Sequence, residues 1–320
     1  MTELYFAPME GVTPWHYRKT HHRLFGGVER YYTPFLNPTE TGLAGKALRE
    51  VLPENNEGLP VVPQILTNSA ERFLLACRVR EELGYTEVDI NLGCPSGTVV
   101  GKGRGAGFLA GERRAELERF LDEVFAACPL KISLKTRLGM ADPEEFDALL
   151  ALYSRYPASL LTIHARVRED YYKRPARWEY FRRALESCSL PLCYNGDIFT
   201  PEGYAAFTGA FPEARRVMLG RGLVANPALA RELQGGAPLT AGELRRFHDE
   251  LLEQICTLQS GEKNALCRIK EQWNYWGALF EEGEKPLKRI RKAGRLSEYR
   301  AAVDEIFTRP IHPEWGYRIV

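Results

Sequence analysis

The sequence predicts an α/β protein, a (β/α)8 TIM barrel followed by a small C-terminal helical domain. Three observations carry this. Eight short, β-rich apolar runs alternate with helical periodicity between residues 4 and 219. The alternation stops at Gln234-Gly-Gly-Ala-Pro238, beyond which only helical segments follow. The length of 320 residues suits one barrel of about 250 residues plus an appendage. A doubly wound open sheet with extra strands is the alternative.

The strands are expected at Leu4–Ala7, Arg30–Pro34, Val61–Leu66, Glu87–Asn91, Lys131–Lys135, Leu160–His164, Leu190–Tyr194 and Arg216–Leu219. Between them, Ser69–Leu83 has an N-cap serine, with Phe73, Leu74, Cys77 and Leu83 on roughly one face. Glu112–Ala127 and Pro143–Tyr156 read the same way. In the tail, Ala241–Gln259, Asn264–Leu279 and Leu296–Phe307 look helical. The domains are therefore expected as 1–236 and 237–320.

Composition narrows the class. A chain 44% hydrophobic and 27% charged is globular, neither disordered nor fibrous. Its formal net charge is +1, so any attraction to nucleic acid must come from local basic surface. Seven scattered cysteines without a CxxC pair indicate neither a disulfide framework nor a zinc site, but a reducing cytosol. No metal is expected. The start, MTELYFAPMEG, has neither the basic nor the apolar region of a signal peptide. No run approaches 18 apolar residues, so no membrane contact is expected. The chain is read as a cytoplasmic monomer.

In this barrel class chemistry sits at the C-terminal strand ends, and the unusual residues cluster there. Strand one ends in Ala7-Pro8-Met9-Glu10-Gly11. Strand three carries Gln64, and strand four ends in Asn91-Leu92-Gly93-Cys94-Pro95. The next two end in Lys135-Thr136-Arg137 and His164-Ala165-Arg166, the last two in Asn195-Gly196-Asp197 and Gly220-Arg221-Gly222. Loops after strands seven and eight suit a phosphate: glycines let backbone N–H groups approach, and Arg221 adds a fork of donors. Lys135 points toward the mouth, where a flavin needs positive charge near its N1–C2 carbonyl. His164 reads equally as a ligand-binding group and as a hydrogen-bonded core residue.

Cys94 differs from Cys77, Cys128, Cys188, Cys193, Cys256 and Cys267, which read as buried apolar residues. It lies between Gly93 and Pro95, ahead of a glycine-rich stretch ending at Gly107 that suits a mobile lid. A thiol with a pKa of about 8.5 is mostly protonated near neutrality, so it can donate a proton.

Taken in order, Ala7-Pro8-Met9-Glu10-Gly11-Val12-Thr13, Asp89-Ile90-Asn91-Leu92-Gly93-Cys94-Pro95, Leu134-Lys135-Thr136-Arg137-Leu138-Gly139, Ile163-His164-Ala165-Arg166, Asn195-Gly196-Asp197-Ile198 and Gly220-Arg221-Gly222 resemble the tRNA-dihydrouridine synthases. The resemblance spans the barrel, and the helical tail agrees in kind. It implies an FMN enzyme reduced by NADPH. A uridine flipped out of tRNA then receives hydride at C6 and a proton at C5. Cys94 matches the family's general acid. Pro8, Met9, Glu10, Gln64, Lys135, His164, Asn195, Gly196, Asp197, Gly220 and Arg221 stand at its flavin-binding positions. Glu10, where many members have alanine, Pro14, His164-Ala-Arg-Val167 and the glycine-rich lid depart from the common pattern. They leave open which uridine is reduced.

A flavin barrel reducing a free pyrimidine shares the chemistry but has no use for the tail. A non-catalytic RNA-binding barrel has no use for Cys94 and Lys135, and a phosphosugar isomerase none for the Cys94 lid. Two basic runs favour RNA. Lys285–Arg300 holds seven basic residues against Glu298, and Arg166–Arg183 seven against Glu169, Asp170 and Glu179. Tyr171, Tyr172 and Trp178 in the second run suit base stacking.

Overall fold

The structure, a computed structural model, describes residues 2–319. Its strands are β1 (Glu3–Phe6), β2 (Arg30–Tyr32), β3 (Val61–Val62), β4 (Gln64–Ile65), β5 (Glu87–Leu92), β6 (Lys131–Arg137), β7 (Leu160–His164), β8 (Leu192–Asn195) and β9 (Arg216–Leu219). They form one sheet in the order β3-β2-β1-β9-β8-β7-β6-β5-β4, and the registered pairs are parallel. The two ends of that order are halves of the third expected strand, divided by Pro63, so the sheet closes on itself. Proline has no N–H to give a ladder. The β3 half pairs with β2 through Tyr31↔Val61. The β4 half pairs with β5 through Gln64↔Asp89. Pro63 still accepts from the Asp89 N–H at 2.8 Å.

The chain sorts into two compact groups. The first comprises the chain up to Pro8, Glu29–Gly196 and Phe211–Met218, and holds the barrel. The second comprises Met9–Val28, Asp197–Ala210 and the chain from Leu219 onward.

In the first group Tyr5, Ala7, Tyr32, Val62, Leu160, Cys193 and Met218 form one buried cluster. Helix Ala70–Glu82 starts as expected, the Ser69 hydroxyl accepting from the Arg72 N–H at 3.3 Å. Helix Arg114–Ala127 buries Leu117, Phe120, Leu121 and Val124, one face at helical spacing. Strand β6 runs two residues past its expected end, through Thr136 to Arg137. The stretch expected as a mobile lid is wound instead. Gly97–Val100 is a helical turn and Gly105–Leu109 a buried 3-10 turn. A Cβ on Gly107 would meet the Val100 carbonyl oxygen at 2.6 Å, so close packing rather than freedom explains that glycine.

In the second group helix Trp15–Leu24 lies beside helix Ala241–Leu258, with the Tyr17 and Phe247 rings edge to face at 5.1 Å. Helix Ala241–Leu258 opens on the capping box of Thr240 and Glu243. Helices Glu262–Trp276 and Leu296–Ile306 match expected elements, and Glu284–Lys292 is an additional helix inside the basic run. Trp273 Nε1 donates to the Tyr299 hydroxyl at 2.8 Å, and that hydroxyl lies 2.7 Å from His248 Nε2. Among the described residues no helix is long and apolar enough to cross a membrane.

Candidate active site

Side chains alternate across a strand, so parallel register stacks polar side chains of one parity inside the barrel. Asp89 is paired with Ser133, Asn91 with Lys135, and Arg137 with His164. Lys135 is also paired with Thr162, and Thr162 with Cys193; His164 is paired with Asn195, and Asn195 with Met218. The strand ends that carry Gln64, Asn91, Lys135, His164 and Asn195 thus converge on one mouth in the first group.

Lys135 is part-buried. Among the described residues no hydrogen bond or ion pair holds its ammonium. Burial, then the Arg137 charge, bring its pKa down to about 8, while Asp89, Cys193 and Cys94 oppose the fall. An ammonium so placed calls for an electron-rich partner. Asp89, fully buried, is pushed up to about 7 by desolvation, against the hydrogen bonds of Gln64 and Ser133 and the charge of Lys135.

Cys94 is part-exposed. Its N–H donates to Asn91 Oδ1 at 2.9 Å, and its carbonyl accepts from the Ala106 N–H at 3.1 Å. Arg137 secures the residue before it, Nε donating to the Gly93 carbonyl at 2.9 Å. The same side chain donates from Nη1 to the carbonyls of Val167 and Tyr171, each at 3.0 Å. Its guanidinium carbon lies 5.4 Å from the Tyr172 ring centre. One buried arginine therefore ties the Cys94 backbone to the loop bearing Tyr171 and Tyr172.

His164 is buried, with Nε2 3.0 Å from Arg166 Nη1. An arginine can only donate, so Nε2 accepts here and His164 is a hydrogen-bonded histidine. Asn195 donates from Nδ2 to the Met218 carbonyl at 2.8 Å. At Gly196 a Cβ would stand 1.9 Å from the Tyr194 hydroxyl oxygen, so only glycine lets the backbone pass. Gln64 is fully buried, its carboxamide bonded to Asp89 and Asn91. Pro8 is part-buried at the end of the β1 segment.

The other expected residues belong to the second group. The Met9 carbonyl accepts from the N–H groups of Val12 and Thr13, each at 3.0 Å, and Glu10 is exposed. Asp197 and Arg221 are paired at 2.7 Å, and Gly220 precedes the short helix Arg221–Ala225. A Cβ on the neighbouring Gly222 would stand 2.1 Å from the Ile198 carbonyl oxygen.

Sequence reading assigned no role to Asp89, Ser133, Arg137 or Arg166 individually. A signal existed: Asp89 and Ser133 interrupt apolar runs at matching positions of neighbouring strands.

A family model described as Dihydrouridine synthase (Dus) matches residues 5–276. Among curated proteins, the tRNA-dihydrouridine(16) synthase of Neisseria meningitidis serogroup B is 26% identical over 318 residues, covering 95% of this chain and 94% of that one. The tRNA-dihydrouridine(16) synthase of Pseudomonas syringae pv. tomato is 31% identical over 290 residues, covering 85% and 88%. Among solved structures, morphinone reductase in complex with tetrahydroNAD is similar with a TM-score of 0.53 at 12% identity, over 75% of this chain and 88% of that one. The old yellow enzyme homologue from Zymomonas mobilis gives a TM-score of 0.54 at 13% identity, over 74% and 90%. At such identities the structural likeness speaks for the barrel fold alone.

Proposed function

The chain belongs to the dihydrouridine synthase (Dus) family, and from that premise we propose that it reduces the C5–C6 double bond of a tRNA uridine to 5,6-dihydrouridine. FMN is the cofactor and NADPH the electron donor. Its relatives are named for position 16, and we take that uridine as the substrate. The observation that carries the reading is an unpartnered, part-buried Lys135 ammonium sharing a barrel mouth with the part-exposed Cys94 thiol.

These residues fit a flavin. Lys135 lacks a hydrogen-bond partner among the described residues, His164 stands beside Asn195 in register, and Gly196 admits close backbone approach. Gln64 and Asn195 each keep amide capacity beyond the bonds described. Pro8, Met9, Glu10, Asp197, Gly220 and Arg221 are assigned to the cofactor by resemblance, Gly220 and Arg221 as phosphate ligands.

A bound flavin supplies the hydride that adds to uracil C6. Lys135 offers a preorganised charge where negative charge accumulates. Cys94 Sγ gives its proton to C5 as enolate charge develops there. The thiolate that remains is stabilised by the charges of Lys135 and Arg137, both of which feel Cys94 electrostatically.

Tyr171, Tyr172 and Trp178 expose 38%, 39% and 36% of their surface, enough to stack on bases. Residues 237–320 are the second RNA-binding element. Lys285, Lys288, Arg289, Arg291, Lys292, Arg295 and Arg300 are all exposed, while Pro286 and Ile290 face inward. The chain acts as a cytoplasmic monomer.

The test is Cys94→Ala. It retains FMN and its reduction by NADPH, and loses tRNA uridine reduction by roughly 10²–10⁴-fold, the size of a general-acid contribution. Dihydrouridine mapped by mass spectrometry reads the outcome. Wild-type turnover in this variant removes Cys94 from the mechanism, and a wild-type protein that takes up no FMN sinks the whole reading.

A further inference from the structure

A continuous hydrogen-bond chain leaves the Cys94 backbone and ends inside the barrel. The N–H groups of Gly93 and Cys94 donate to Asn91 Oδ1 at 3.1 and 2.9 Å. Asn91 Nδ2 donates to Gln64 Oε1 at 2.7 Å, and Gln64 Nε2 donates to Asp89 Oδ2 at 2.7 Å. Ser133 Oγ donates to Asp89 Oδ1 at 2.8 Å. Gln64, Asp89 and Ser133 are fully buried and Asn91 nearly so. The Gln64 N–H is itself held by Thr33 Oγ1 at 3.0 Å.

Carboxamides are directionally ambiguous, but this chain is not. Backbone N–H groups can only donate, so Asn91 must turn its oxygen toward them and its nitrogen toward Gln64. Gln64 must then present oxygen to Asn91 and nitrogen to Asp89. The far end must accept, and the ionised carboxylate can only accept. Were Gln64 and Asn91 to flip together, the Asn91 nitrogen would face two other donors and release the backbone at Cys94.

We propose that Asp89 is a positioning residue whose carboxylate fixes the orientation of the Gln64 and Asn91 amides and so holds the backbone that aims Cys94. Its importance to turnover rests on the reading of Cys94 as the acid. Its effect on the backbone does not.

The experiment uses the full-length protein as purified. Amide hydrogen exchange at Gly93 and Cys94, and alkylation of Cys94 by iodoacetamide, are compared in three variants. Asp89→Asn keeps the shape and permits both amide polarities. Exchange at those two amides should rise about five- to ten-fold, the factor a net hydrogen bond is worth, with a matching change in alkylation rate. Combining Asp89→Asn with Asn91→Asp restores a one-way chain, run in reverse through Gln64 with an obligate acceptor beside Cys94. Protection at Gly93 and Cys94 should return. Gln64→Met cuts the chain in the middle and should loosen the same two amides, even if Asp89→Asn folds poorly.

A merely structural role changes exchange across the barrel and is not rescued by the swap. Unchanged protection at Gly93 and Cys94 in Asp89→Asn and Gln64→Met, or a swap as loose as the single variant, overturns the proposal. If these exchange results hold while Cys94→Ala keeps full activity, the relay stands and the acid assignment falls.

Discussion

Each compact group contains a one-way hydrogen-bond chain ending on an aspartate, and the two aspartates respond oppositely. In the barrel the chain runs from the Cys94 N–H through Asn91 and Gln64 to Asp89. In the second group it runs from Trp273 through Tyr299 and His248 to Asp249, with His248 Nδ1 2.8 Å from Asp249 Oδ1. Burial raises Asp89, and two neutral donors and a lysine do not offset it. Burial also pushes Asp249 upward, but its bonds to His248 and Arg245 win and the pKa falls below the ordinary carboxylate value. Asp249 keeps 48% of its side chain exposed and meets Arg245 Nε at 2.8 Å. The lesson is that a chain's end point, not its length, decides where titration strikes.

The largest effect that can break this contrast lies in acid. Desolvation, aided by Arg18, lowers His16 to about 4, and desolvation lowers His21 to about 3 against the Pro227 carbonyl. His248 is also lowered by burial. The unfolded chain takes up these protons near pH 6.5, the folded chain only far below. Their contribution is therefore intact above 6.5 and lost as pH falls, roughly 2 kcal/mol for each of His16 and His21 at pH 5. Hydrogen exchange should show the second group opening as pH drops from 7 to 5. Equal protection at both values would refute neutral burial of these rings.

Asp89 has the opposite sign. Its folded pKa of about 7 lies above the unfolded value near 3.9, so stability falls as pH rises between them, by at most roughly 4 kcal/mol. Asp89→Asn should flatten that fall, and urea titrations of both proteins at pH 4.5 and 8 measure it. A variant with an unchanged slope would place the burden on another buried group.

The smallest effect concerns docking. Neutralising Lys288, Arg289 and Lys292 together should lower the salt slope of tRNA binding by roughly 2 to 3 log units per log unit, if each meets a phosphate. Flavin reduction should be unaffected. Unchanged affinity across salt concentrations moves the docking surface to Arg166–Arg183.

Much of the fold and the site is legible in the sequence because strands announce themselves locally. Gly-Cys-Pro and Lys-Thr-Arg at apolar strand ends mark the barrel mouth from residue order alone. The relay is not legible there. Asp89 and Gln64 are 25 positions apart, and only register across β4 and β5 makes them neighbours. Helix Glu284–Lys292 is hidden because charge outweighs its few apolar residues, Pro286, Leu287 and Ile290. The Gly101–Gly107 stretch misleads because its glycines suggest freedom, whereas Gly105 and Gly107 leave no room for a side chain. Nor does sequence order show that Trp15–Leu24 packs with helix Ala241–Leu258.

Barrel closure has a consequence for synthesis. The Glu3 N–H bonds the Arg215 carbonyl at 2.9 Å, and β1 lies between β2 and β9. As the chain emerges from the ribosome, β1 and β8 both present open edges until β9 has cleared the exit tunnel. Such edges invite pairing with neighbouring chains, and the long separation makes closure slow. Nascent chains stalled before Arg216 should therefore be the aggregation-prone species, and a chaperone that shields strand edges should matter most in that interval.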